Sequence, residues 1–154
     1  MAEAALKIEI REPAPVRRFE MADLSRHGPW LMKRFAAKFP DMSEQQIGGY
    51  LRGLISANMI QFLYQDHAVA LAEVAYSPGI KQTMVVQERF VWVEDRNDKE
   101  QIESAADFYC QMKTWAKGMG AERIIVCEDS DVPKPLIEAR LGRLLDTKIT
   151  HARA

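Results

Sequence analysis

The residues from Glu88 to Gly120 (ERFVWVEDRNDKEQIESAADFYCQMKTWAKGMG) come nearest, by type and spacing, to doing chemistry. An apolar run ends at Val93, a polar loop follows, and an amphipathic segment begins near Lys99. Many α/β proteins bind an anionic cofactor with this layout, because free N–H groups and the positive end of the helix dipole face the anion. Here the loop EDRNDKEQ holds no glycine, and Asp98, Glu100 and Glu103 crowd the helix start. The segment has the frame of a phosphate site with repelling chemistry at its mouth. Other reactive types offer less. Cys127 sits inside IIVCE, where a small core residue is a simpler reading than a nucleophile. Cys110 and Cys127 show neither CxxC nor metal-ligand spacing, and His27, His67 and His151 are scattered, so no metal is assigned.

Elements that must position this stretch follow from hydrophobic period. Leu6 to Glu12 alternates as a half-buried strand and stops at Pro13 and Pro15. Phe19 to Phe39 carries a helical pattern through Leu24, Leu31, Phe35 and Phe39, with an interruption expected at Gly28-Pro29. Ser43 to Asn58 reads as a second helix, with Ser43 and Gln46 forming a capping box. Met59 to Tyr64 and Ala68 to Tyr76 form an antiparallel pair about the turn Gln65-Asp66-His67, and Ser77-Pro78-Gly79 ends the second strand. Thr83 to Val93 is nearly continuous in apolar content, as a central strand covered on both faces would be. One long helix follows on the stripe Ile102, Ala105, Ala106, Tyr109, Met112, Ala116 and Met119, stopped by Gly118 and Gly120. Arg123 to Glu128 is a short buried strand, Pro133 to Leu141 a short helix, and Leu144 to Thr150 a final strand. The order β-α-α-β-β-β-α-β-α-β predicts a single α/β (α+β) domain over residues 1–154, with a mixed, mostly antiparallel sheet and helices on both faces.

Composition limits the function classes. A formal net charge of −1 gives no bulk reason to expect nucleic acid, and Arg17-Arg18 and Lys33-Arg34 read as solvated faces. Trp30, Trp92 and Trp115 read as core residues. No apolar run has the length of a bilayer span, and MAEAALKIEIREP is too charged for a secretory signal. The expectation is a reduced, cytoplasmic protein with neither a nucleic-acid nor a membrane partner.

This element order, with FVWV running into the helix and then AERIIV and ARLG, resembles the Gcn5-related N-acetyltransferase (GNAT) family. The resemblance covers nearly the whole chain in topology and concentrates in residues Glu88 to Gly142. It implies acetyl-CoA in a V-shaped opening where the fourth and fifth strands splay apart. Backbone groups of Val91, Trp92 and Val93 would then hold the pantetheine arm. The family pattern Gln/Arg-x-x-Gly-x-Gly/Ala for the diphosphate falls on Asp98-Lys99-Glu100-Gln101-Ile102-Glu103. Ile102 matches the apolar residue between the glycines, and Ser104-Ala105 suits the tight turn after them. Gln101 and Glu103 stand where glycines admit the phosphate, and Asp98 stands where Gln or Arg is usual. Each carboxylate adds repulsion on the order of 1 kcal/mol at a few ångströms in water. Asn97-Asp98-Lys99-Glu100 instead offers an N-cap followed three residues later by Glu, while Lys99 and Arg96 offer charge to a diphosphate.

The resemblance also implies a reaction, acetyl transfer from acetyl-CoA to an amine of a small molecule or protein. Glu88 matches the general base of some members, and burial beside Val86 and Phe90 would suit that role. The alternative is a strand glutamate facing solvent or paired with Arg89; Glu73 is a second candidate. The family's acid, a tyrosine in Tyr-x-x-x-Gly-Phe, is replaced by Glu138 in Glu138-Ala139-Arg140-Leu141-Gly142-Arg143. A rival expectation is a GNAT-like protein without catalysis that binds and modulates a host protein, as in divergent GNAT-like proteins of tailed phages. Family members often dimerise, so a homodimer is a further expectation.

Overall fold

Strands with period-two patterning form one sheet whose spatial order is the order of the chain. The computed structural model describes residues 15–77, 83–127, 129–142 and 148–152. The strands are β1 (Arg17–Arg18), β2 (Ile60–Gln65), β3 (Ala68–Ser77), β4 (Thr83–Val93), β5 (Arg123–Cys127) and β6 (Lys148–Ala152). The steps from β1 to β4 are antiparallel, and those from β4 to β6 are parallel. Asp66 and His67 alone turn β2 into β3. Parallel neighbours need a crossover, which helices supply on either side of β5. The strand expected at Leu6–Glu12 lies outside the described residues, as do Pro78-Gly79, Glu128 and Leu144 to Thr147. The first described strand is Arg17–Arg18, opposite Tyr64 and Leu63.

Among the described residues five α-helices cover the sheet: α1 (Leu24–Lys38), α2 (Glu44–Ser56), α3 (Lys99–Ala105), α4 (Asp107–Met119) and α5 (Lys134–Gly142). One core layer packs Leu31, Phe35, Ile47 and Leu51 of α1 and α2 on Phe62, Val69, Leu71, Phe90 and Trp92. The opposite layer packs Phe108, Tyr109, Met112, Ile137 and Leu141 of α4 and α5 on Ala70, Ala72, Val86, Val91 and Val93. Small alanines on β3 let that second layer sit close to the sheet.

Local chemistry explains where helices start and stop. The Ser43 hydroxyl accepts the Gln46 N–H at 3.1 Å, and the Gln46 side chain accepts the Ser43 N–H at 2.8 Å, as expected. Gly120, at φ 75°, closes α4, with the Ala121 N–H on the Ala116 carbonyl and the Gly120 N–H on the Lys117 carbonyl. Two expectations are corrected. Pro29 lies inside α1 without ending it. Gly28 has no Cβ to clash with the proline ring, and Ser25, whose carbonyl loses its partner, is exposed. The single helix expected after β4 is two, broken at Ala106, where Ala105 and Ala106 are fully buried and bring the backbone onto the sheet.

His27 joins α1 to the β2 turn. Its Nδ1 accepts the Trp30 indole N–H at 2.9 Å, which requires Nε2 to carry the proton donated to the Gln65 carbonyl at 2.8 Å. The ring is fully buried, and desolvation holds its pKa below 6.5 against the Gln65 bond, with Arg26 adding to the shift. Only the unfolded chain then takes up this proton as pH falls below 6.5, so stability falls with it. Unfolding free energy from urea titrations should decline below that pH in the wild type, and His27→Gln should flatten that part of the profile. An unchanged slope in the variant would assign the effect to other groups.

Candidate functional site between β4 and β5

β4 carries an extra residue. Leu71 faces Phe90 and Ala72 faces Glu88, which leaves Arg89 as a bulge. A one-residue insertion reverses which side chains face which layer. Val86 and Glu88 therefore share the α4 side with Val91 and Val93, whereas Phe90 and Trp92 point to α1 and α2. Glu88 is fully buried and accepts a hydrogen bond from the Tyr109 hydroxyl at 3.2 Å. It neither faces solvent nor pairs with Arg89, and Phe90 is not on its side. Arg89 instead pairs on the surface with Glu73 at 3.4 Å.

The same strand leaves its parallel neighbour early. β4 pairs with β5 at Val85, Val86 and Gln87. Beyond that point the chain after β5 returns to β4 at one isolated bridge, Ser130 to Val91. The Asp131 N–H donates to the Val91 carbonyl at 2.9 Å, and the Val93 N–H donates to Asp131 Oδ2 at 2.9 Å. Arg34 on α1 grips both Asp131 oxygens at 2.5 and 2.6 Å, and Arg96 stands 3.5 Å from Oδ1. The Arg34 guanidinium also lies 4.7 Å from the centre of the Trp92 ring. Two residues earlier, Asp129 accepts the Trp92 indole N–H at 3.2 Å and pairs with Lys38. Beneath this segment Ser130 Oγ lies 2.7 Å from the Tyr109 hydroxyl.

The helix that opens after β4 is satisfied in the same internal way. Asp98 caps α3, its Oδ1 accepting the Glu100 and Gln101 N–H groups at 3.0 and 3.3 Å. The cap is thus Asp98 and not Asn97, because Gln101 reaches back to the Asp95 N–H at 2.9 Å and fixes the loop one residue later. Lys99 and Glu103 are exposed, and Ile102 packs partly into the α4 layer. The Ser104 carbonyl accepts from Gln65 Nε2 at 2.7 Å. Ser104, with Asp98, Glu100 and Gln101, lines a cavity of about 410 Å³ beneath the β2–β3 turn, closed on its other side by Arg17, Tyr64 and Asp66.

In this structure the groups that the resemblance assigns to acetyl-CoA are engaged internally. The strand groups that would take its pantetheine arm, at Val91 and Val93, already serve Asp131. The amides that would face its diphosphate serve Asp98, with Glu100 and Glu103 beside them. Sequence reasoning singled out Glu88 and Val91 to Val93 and missed what surrounds them. By sequence alone Tyr109 is part of an apolar stripe and Arg34 a solvated cation, although the Arg34 side chain is 13% exposed. A tyrosine does reach Glu88, but from α4; Glu138, at the position of the family's acid, is exposed on α5. The Cys127 side chain lies outside the described residues. Burial raises the pKa of the Cys110 thiol, which argues against a nucleophile there. Among the described residues there is no cluster that could hold a metal ion and no helix long and apolar enough to cross a membrane.

This architecture recurs in known acetyltransferases. No protein-family model and no curated protein matches the chain. Among solved structures, an acetyltransferase from Vibrio fischeri matches with a TM-score of 0.53 at 14% identity, over 77% of this chain and 98% of that one. An aminoglycoside 6'-N-acetyltransferase from Acinetobacter haemolyticus matches with a TM-score of 0.55 at 18% identity, over 87% and 92%. Glucosamine-6-phosphate N-acetyltransferase from Arabidopsis thaliana matches with a TM-score of 0.52 at 13% identity, over 73% and 80%. The protein has the GNAT acetyltransferase fold, in a divergent form.

Removing the α3 cap isolates its energetic role. Asp98→Ala should lower stability by about 1 kcal/mol, the usual worth of an N-cap, in urea unfolding. Asp98→Ser, which keeps an acceptor, should recover most of that loss.

Proposed function

We propose that the protein is an acyltransferase of the GNAT type, moving an acetyl group from acetyl-CoA to an amine of a small molecule or protein. The observation that carries this reading is the early parting of β4 from β5. After Gln87 the strand turns its Val91 carbonyl and Val93 amide toward the gap, with Glu88 buried at its base. In this reading Glu88 is the base that takes the proton of the incoming amine, and the Tyr109 hydroxyl beside it holds the carboxylate in place. Val91, Trp92 and Val93 line the arm of the cofactor, and Asp98 to Ser104 border its phosphates. Both roles require Asp131 to leave the strand.

A second reading, a GNAT scaffold without catalysis that acts by binding another protein, would start from the same closure. Its support is that Asp131 and Asp98 satisfy the cofactor-facing groups from within.

Acetyl-CoA separates the two. A ligand that binds only the folded state at ten times its Kd stabilises by about 1.4 kcal/mol, or about 3–5 °C for a domain of this size. Millimolar acetyl-CoA should raise the melting temperature by that order, and label from acetyl-CoA should pass to polyamine or lysine acceptors in wild type but not in Glu88→Gln. Neither a shift nor transfer, in wild type and Asp131→Ala alike, would remove the acyltransferase reading and leave the binding one.

A further inference from the structure

We propose that Asp129–Asp131 is a built-in occupant of the cleft, an autoinhibitory latch that must be withdrawn before any ligand enters between β4 and β5. The inference rests on the acyltransferase reading only for the identity of that ligand.

Three features set this segment apart from an ordinary loop. First, it satisfies the strand where β5 no longer does, by one backbone bridge at Val91 and one carboxylate on the Val93 N–H. Second, its anchors come from outside the sheet. Arg34 and Lys38 on α1 hold Asp131 and Asp129, so an element of the opposite layer keeps the segment down. Third, the anchors are ionic, and an open groove adjoins them. A groove of about 380 Å³ lined by Trp30, Lys33, Arg34, Val93, Glu94 and Arg96 lies directly beside the bidentate pair. Arg34 also donates to the Val93 carbonyl at 3.4 Å, so one guanidinium touches both the strand and the latch.

Chemistry at this point favours exchange over permanent closure. Apolar side chains plugging the gap would close it without reference to solution conditions. A carboxylate held by Arg34, Arg96 and a backbone amide can be replaced by another anionic group that offers the same acceptors. The apparent affinity of a ligand for the cleft is its intrinsic affinity reduced by the open fraction. Weakening the latch should therefore tighten binding with no new contact to the ligand.

The test is Asp131→Ala, with Arg34→Lys as a milder variant that keeps the charge but loses the two-pronged grip. Two readouts are taken: backbone hydrogen exchange at the Val93 amide by NMR, and binding of CoA by calorimetry. In both variants Val93 exchange should accelerate, by about tenfold or more in Asp131→Ala, while distant β2–β3 amides stay protected. CoA binding should strengthen by about tenfold or more relative to wild type. If Val93 protection is unchanged in either folded variant, Asp131 does not close the cleft and the latch is overturned. If Val93 is released yet CoA still does not bind, the latch stands and the acetyl-CoA reading fails. Should Asp131→Ala not fold, Arg34→Lys alone decides through the same Val93 amide.

Discussion

One carboxylate, that of Asp131, ties together α1, the end of β4 and the segment after β5. It accepts from Arg34 of the α1 layer and from the Val93 amide at the end of β4, while its own N–H holds the Val91 carbonyl. At 9% exposure such an anion is costly unless fully partnered, and the paired guanidinium with the amide offsets that cost. Arg34 is positioned in turn by the Trp92 ring, which the aromatic cluster of Phe35 and Phe90 holds rigid. Packing on one face of the sheet therefore decides the electrostatics at the edge of the cleft on the other.

The bulge at Arg89 is the second determinant. Without the inserted residue Glu88 would share the face of Phe90 and Trp92, in a layer built of aromatics. With it, Glu88 turns toward the Tyr109 hydroxyl, which in turn meets Ser130 Oγ of the segment above. A single register change thus converts a strand carboxylate into the polar floor of a gap.

The two regions that resemble a cofactor site are closed by the same device. Asp98 occupies the amides of the helix start, and Asp131 occupies the amide of the strand end. In each case an internal carboxylate takes the place an anionic or polar ligand would take. Free energy of binding there would be a difference between two sets of similar hydrogen bonds, which makes the local carboxylates as important as any contact to the ligand.

Much of the frame is legible along the chain. The hairpin about Asp66-His67, the central strand Thr83–Val93, the capping box Ser43–Gln46 and the glycine stop at Gly120 all follow from local rules of period, turn and cap, and so does the fold order. Local rules mislead where two pieces compete for one group. Pro29 is carried through α1 because a neighbouring glycine and an exposed carbonyl relieve it, and Asp98 wins the α3 cap because Gln101 is engaged with Asp95. What only the tertiary structure decided is the state of the site: the side of the sheet on which Glu88 lies, Tyr109 as its partner, and Asp131 in the gap with Arg34. Those contacts join residues 21 to 97 positions apart, and a long-range ion pair or a one-residue bulge leaves no periodic trace in sequence. By itself the sequence determined which segments form the strands and helices, because burial and period are local properties. The state of the gap between β4 and β5 depends on a charge pair closed across the whole fold.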